Sequence, residues 1–275
     1  MQIRRKTFAR GSFGLVVSAL IVLTLLSGVS MAGEVASATL KNGLRAIVVR
    51  NTLAPVVTTE LNYLVGSNEA PPGFPGTAHA LEHMMFRGSP GLSAAQLSTV
   101  SAAMGGDFNA ATQQTVTQYF FTVPADNLEI ALRIEATRMQ AILATEPVWK
   151  QERGAIEQEV AQDLSNPQYV FYMRLLEAMF RGTPYAHDAL GTRESFQRTT
   201  AAMLRDFHRA WYVPNNAVLI VVGNIDPEAV LAKVRQIFEG IPARPLPVRP
   251  AIQLGPLQPE RITVDTDLAY GMAVV

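Results

Sequence analysis

The 275-residue chain contains no cysteine. That absence excludes disulfides, thiolate metal ligands and a lipid-bearing cysteine anchor, so a bound metal would have to be held by imidazole and carboxylate groups. It also suits an oxidising compartment. An excess of one charge is missing too: Lys and Arg number 23, Asp and Glu 23, for a formal net charge of +0. No basic surplus argues for nucleic acid, and no acidic surplus argues for disorder. Histidine is scarce, with 4 in the chain, and two of these fall close together as His79 and His83. The remainder, 48% hydrophobic and 17% charged, is ordinary for a globular protein.

At the N-terminus, Arg4, Arg5, Lys6 and Arg10 precede an apolar run from Gly14 to Val29, and Ser30-Met31-Ala32 supplies small residues for cleavage. This is the pattern of a secretory signal over residues 1–32, its apolar run short for a membrane span of about 17–25 residues. The expectation is an exported, periplasmic chain with no stable membrane span once the signal is cleaved. Retention as an inner-membrane anchor is the alternative.

Ala38–Val49 reads as a β-hairpin turning on the two residues Asn42-Gly43. Strands follow over Val56–Val65, Asp107–Thr112 and Val116–Val123, the last alternating less cleanly and so expected to be more buried. Helices are predicted over Ser93–Met104, Ala125–Ile142, Glu146–Leu164, Tyr169–Phe180, Thr200–Trp211, and from an Asp226-Pro227 cap to Glu239. Ala217–Val222, an unbroken apolar run bounded by Asn215-Asn216 and Gly223, reads as a central strand. This order argues an α+β domain, a mostly antiparallel sheet with helices packed on one face, over residues 36–240. Proline-rich residues 241–259 read as a semi-rigid linker. Strands expected at Glu260–Asp265 and Ala269–Val275 would be the truncated start of a second domain.

The chemistry concentrates in Gly76-Thr-Ala-His-Ala-Leu-Glu-His-Met-Met-Phe-Arg-Gly88. Thr77 is the expected N-cap of a helix reaching about Phe86, which puts His79 and His83 at i and i+4 on one face. Both can then reach one metal ion at Zn–N distances of about 2.0–2.1 Å. Glu82 lies beside that face, placed to take a proton from the attacking water. His-x-x-Glu-His reverses the commoner His-Glu-x-x-His helix and matches the inverzincin pattern. A helix with two surface histidines and a solvated glutamate is the plainer alternative. A catalytic zinc takes a third protein ligand. The helix over Trp149–Leu164, with Ile156, Val160 and Leu164 as its apolar stripe, carries Glu152 and Glu159 nearly eclipsed over two turns, with Glu157 on another side. These carboxylates read equally well as the wet face of an amphipathic helix. His187 follows a Thr-Pro-Tyr loop and His208 lies between Phe207 and Trp211 on an amphipathic helix, so both read as ordinary.

Together the segments resemble the pitrilysin or insulysin-like zinc metallopeptidases, family M16. The likeness runs from about Thr39 to Phe238 and takes in Lys41-Asn-Gly-Leu44, Gly105-Gly-Asp-Phe-Asn-Ala-Ala-Thr112, Gly182-Thr-Pro-Tyr-Ala-His187 and Tyr212-Val-Pro-Asn-Asn-Ala-Val-Leu219. It implies one Zn²⁺ per chain held by His79, His83 and Glu159, with Glu82 the general base and Glu152 a supporting carboxylate. It also implies that the strand carrying Phe108, Asn109, Ala110 and Ala111 binds the substrate backbone by strand addition, where small alanines permit close approach. A plain edge strand is the alternative. Phe86 is a further candidate for the pocket wall. The function implied is an exported zinc endopeptidase acting on peptides or unfolded segments, completed by a second M16-like domain or subunit and weak without it. The alternative is a non-catalytic structural or binding subunit of a two-subunit assembly.

Overall fold

The hairpin that opens the fold is closed by asparagine chemistry. The computed structural model describes residues 34–249, 251–256, 259, 261–263 and 265. Strands β1 (Val35–Thr39) and β2 (Arg45–Arg50) pair antiparallel. Their connection differs from the expected two-residue turn, which needs positive φ at both central residues. Leu40 N–H donates to the Leu44 carbonyl (2.8 Å) and Gly43 N–H to the Leu40 carbonyl (2.9 Å), while Gly43 alone of the loop has positive φ (87°). The reason lies in the Asn42 side chain. Its Nδ2 donates to the carbonyls of Phe238 (2.7 Å) and Ile241 (2.9 Å), and its Oδ1 accepts from Leu44 N–H (3.2 Å).

The other strands are β3 (Val56–Tyr63), the short pair β4 (Gly88–Ser89) and β5 (Leu92–Ser93), then β6 (Asp107–Thr112), β7 (Thr117–Pro124) and β8 (Ala217–Gly223). Among the described residues the main sheet runs β1-β2-β8-β3-β7-β6. The apolar run of β8 is central, as its composition suggested; it pairs parallel with β2 and antiparallel with β3. Alternate residues make the core: Val57, Leu61 and Tyr63 on β3, Tyr119, Phe121 and Val123 on β7, Leu219 and Val221 on β8. Each such side chain contributes roughly 1.5–3 kcal/mol by burial. Strand β7 alternates cleanly, so it is buried on one face only, contrary to the expectation. Its other face is polar: Thr122 Oγ1 meets Thr58 Oγ1 at 2.9 Å, and Gln118 Nε2 donates to Glu60 and Asn62, each at 2.8 Å.

Helices follow the period of their apolar residues: α1 (Thr77–Met84), α2 (Ala94–Ala103), α3 (Leu128–Gln140), α4 (Glu146–Leu164), α5 (Pro167–Met179), α6 (Arg193–Arg198), α7 (Ala201–Trp211) and α8 (Pro227–Phe238). Side chains start them. Ser93 and Gln96 form a capping box for α2, while Asn166, Thr200 and Asp226 accept the free N–H groups of α5, α7 and α8. Helix α8 packs on β1 and β2, α3 on β3 and β7, and α4 and α7 against α1. Helix α6 was not anticipated, because its six residues are too few for a periodic signal. In α4 the buried stripe is Trp149, Ile156 and Val160, but Leu164 is 57% exposed, beyond the reach of the core.

Helix α1 also departs from expectation at both ends. Its N-cap is Gly76 (φ 86°), because the Thr77 hydroxyl is engaged elsewhere, donating to the Phe74 carbonyl at 2.7 Å. The helix stops at Met84 instead of Phe86. Gly76 packs against Gly191, and a Cβ at 76 would sit 2.7 Å from the Gly191 Cα. Beyond α8, residues 243–249 continue without helix or strand. The segment 1–32 and the strand expected at Ala269–Val275 lie outside the described residues. Of the strand expected at Glu260–Asp265, the described residues Arg261, Ile262, Thr263 and Asp265 form none.

Candidate active site

Helix α1 is sunk into the core through Ala78, Ala80, Leu81 and Met84, which leaves the side carrying His79, Glu82 and His83 facing the cleft. The three present ligand atoms within 4.8 Å of one another. His79 Nδ1–H donates to the Leu190 carbonyl (3.1 Å), and His83 Nδ1–H to Glu152 Oε1 (2.9 Å). With both Nδ1 atoms committed, both Nε2 atoms turn to the cleft, 3.2 Å apart. Glu159 arrives from α4 against them, its Oε1 3.5 Å from His79 Nε2 and its Oε2 3.4 Å from His83 Nε2. Two imidazoles and a carboxylate, each imidazole tethered through its second nitrogen, form a donor set that fits a catalytic zinc.

The carboxylates around this point have separate environments. Glu82 Oε2 accepts from the Thr112 hydroxyl at 2.5 Å. Glu152 is buried, and although burial alone would raise its pKa, hydrogen bonds from His83 and Arg87 outweigh that and lower it. Hydrogen bonds from His79 and His83 hold Glu159 well below the usual carboxylate range. Burial opposes a charge on His83, but its bonds to Glu152 and Glu159 prevail and push its pKa up to about 9. Glu157 is turned away, paired with Arg153 (3.7 Å) and Arg193 (3.4 Å).

Cavities open on both sides of the histidines. One, of about 530 Å³, is bordered by Ala110, Ala111, Thr112, Asp163, Tyr172 and Asp188; the other, of about 420 Å³, by Phe86, Phe108, Asn109 and Ala110. Strand β6 is the sheet edge along both. There the Ala110 N–H donates to the Asn109 side-chain oxygen at 2.9 Å. Phe86 packs tilted against Phe108 (5.9 Å between centroids), with the buried Arg138 guanidinium over its ring (5.3 Å). His187 and His208 stay apart from the cluster. His187 Nδ1 bonds the Asp188 carbonyl, while His208 Nε2–H donates to the Arg138 carbonyl and burial lowers its pKa to about 4.

Three participants were given no role in the sequence reading, Arg87, Arg138 and the Leu190 carbonyl, and Thr112 entered it only as the end of the substrate strand. Thr112 had a usable signal, since strand alternation puts it on the same side as Phe108 and Ala110. Arg87 and Leu190 reach the site only through tertiary contact.

A sunken helix bearing His-x-x-Glu-His thus faces a second helix that brings two carboxylates to the same two histidines. Residues 45–193 match the family model of insulinase, peptidase family M16, and residues 198–270 that of the peptidase M16 inactive domain. The chain belongs to peptidase family M16. It is 32% identical over 218 residues to an uncharacterized zinc protease of Streptomyces coelicolor, covering 78% of this chain and 47% of that protein. A protease from Helicobacter pylori superposes with a TM-score of 0.75 at 27% identity, covering 81% of this chain and 54% of that one. The periplasmic protease PqqL from Escherichia coli does so with a TM-score of 0.75 at 25% identity, covering 81% and 25%. The chain thus spans about half the length of the curated relatives it matches, 47% to 49% in the first three.

Proposed function

We propose that this chain is the metal-bearing half of an exported zinc endopeptidase, with one zinc per chain held by His79, His83 and Glu159. The observation that carries the reading is the convergence of two Nε2 atoms and the Glu159 carboxylate on one point beside Glu82. When bound, zinc supplies a Lewis acid that polarises the peptide carbonyl. Glu82, oriented by Thr112, takes a proton as the water oxygen bonds to the carbonyl carbon. It returns that proton to the amine as the C–N bond breaks. Glu152 holds His83 in the tautomer that leaves Nε2 free.

Strand β6 offers its free edge, with the outward Ala110 N–H, to an extended peptide or unfolded protein segment. Cavities on both sides of the histidines leave room for substrate beyond either side of the cleaved bond, which supports internal cleavage. Phe86, Phe108 and Asn109 wall one side. A second M16-like domain or subunit is proposed to close this open groove, since the relatives run to about twice the matched length and residues 198–270 already match a second M16 model. Export is supported by the basic and apolar N-terminal pattern and by the periplasmic description of the PqqL neighbour. Among the described residues no helix is long and apolar enough to cross a membrane.

The test is elemental analysis paired with a peptide-cleavage assay on the parent and two variants. His83→Ala should abolish zinc content with the sheet still folded by circular dichroism, whereas Glu82→Gln should keep zinc and lose turnover. Zinc lost from Glu82→Gln, or full turnover without Glu82, overturns the roles.

A further inference from the structure

Glu152 sits at the back of the cleft with its side chain 4% exposed. One oxygen, Oε1, takes the His83 Nδ1–H at 2.9 Å. The other, Oε2, is held by the Arg87 guanidinium in direct ion-pair contact. Arg87 lies three residues past the end of the site helix, its N–H donating to the Met84 carbonyl at 3.0 Å, so its backbone is fixed relative to His83. Its side chain is 41% exposed. An ion pair between two exposed groups is worth little, because water replaces either partner. Here the acceptor is cut off from water, and removal of Arg87 would leave a buried carboxylate oxygen with no compensation at all. The pair therefore constrains where Glu152 can place its other oxygen.

We propose that Arg87 is a positioning residue for the metal centre. By clamping Glu152 Oε2, it aims Oε1 at His83 Nδ1–H, which keeps the His83 Nε2 lone pair pointed at the metal position. The inference rests on the zinc reading above and extends it by one residue. The order of action is Arg87 on Glu152, Glu152 on His83, and His83 on the metal. A residue acting in such a chain affects metal affinity only while the link it pushes on is present.

The experiment is zinc titration of the full chain against a chromophoric chelator at fixed pH, for the parent, Arg87→Met, Arg87→Lys, Glu152→Gln and the double variant Arg87→Met/Glu152→Gln. Thermal unfolding of each metal-free protein reports folding. Arg87→Met should weaken zinc binding by about 10–100-fold, the range for partners of a ligating histidine. Arg87→Lys, which keeps the charge but loses the planar guanidinium, should fall between it and the parent. The double variant should bind no more weakly than the poorer single variant. Affinity within twofold of the parent in Arg87→Met, or losses that multiply in the double variant, overturns the proposal while leaving the zinc site standing. A folded parent that takes up no zinc overturns the zinc reading and this inference together. If Arg87→Met fails to fold, the Arg87→Lys titration decides, an unchanged affinity counting against the clamp.

Discussion

Glu82 and His83 are adjacent in the chain yet answer to different neighbours: Glu82 to the Thr112 hydroxyl on β6, His83 to Glu152 on α4. Separate tethers mean separable failures. Thr112→Val should leave zinc content unchanged and lower kcat by about 10–100-fold, the worth of a hydrogen bond to a charged group at roughly 1.5–3 kcal/mol. Equal loss of zinc in that variant would count against the assignment. A pH dependence follows from His83, whose pKa rises from 6.5 to about 9 in the metal-free protein. Its contribution to stability is full below pH 6.5 and lost as pH climbs through about 9. Glu159, lowered from 4.5, contributes above that value and loses its contribution as pH falls. Metal-free protein should therefore unfold at its highest temperature between about pH 4.5 and 6.5, where both contributions are intact. Zinc must displace the His83 proton, so its affinity should rise about tenfold per pH unit toward pH 9 and level off above. A flat chelator-competition profile from pH 6.5 upward would remove His83 from the ligand set.

At the scale of elements, the free edge of β6 is the feature to probe. Ala110 N–H points out of the ladder toward the Asn109 side chain, so proline at this position removes an outward donor without breaking the pairing to β7. Ala110→Pro should keep zinc and the fold but raise KM for peptides several-fold or more; unchanged KM would show that substrate does not add to this edge. The element scale also shows how far the sequence could be read. The i, i+4 spacing of His79 and His83 and the seven-residue spacing of Glu152 and Glu159 are properties of single helices, so they were visible before any packing. What stayed hidden depends on which surfaces meet. Asn42 left its expected turn geometry because α8 presents carbonyls to it, and Thr77 surrendered the cap because Phe74 does the same. Arg87 and the Leu190 carbonyl lie too far in the chain from their partners, Glu152 and His79, for any local pattern to pair them.

For the whole molecule, the relevant measure is that the chain matches only about half of each relative. The groove beside β6 is bounded on one side by the sheet and helices described here, and an open groove orders a peptide poorly and exposes the reacting carbonyl to water. Residues 33–275 alone should bind zinc yet cleave peptides slowly. Adding a second-half M16 domain in trans should raise kcat/KM by about tenfold or more, by ordering substrate and excluding water. Vigorous turnover by a preparation shown to be monomeric by light scattering would mean that this half suffices.

The contact between Gly76 and Gly191 carries a consequence for how the protein can vary. A Cβ on either would fall 2.5–2.7 Å from the other's Cα, and both residues hold positive φ, 86° and 84°. No reciprocal exchange can relieve this, since enlarging one position cannot be offset by shrinking a partner that already has no side chain. Gly191 follows directly on Leu190, whose carbonyl steadies His79, so a displaced backbone there is felt at the imidazole. In a library covering every single substitution, these two distant positions should tolerate nothing, and double substitutions should rescue neither. The pair would stand out as a mutational dead end beside more permissive glycines such as Gly154 and Gly240, where a Cβ meets open space and the backbone holds no positive φ.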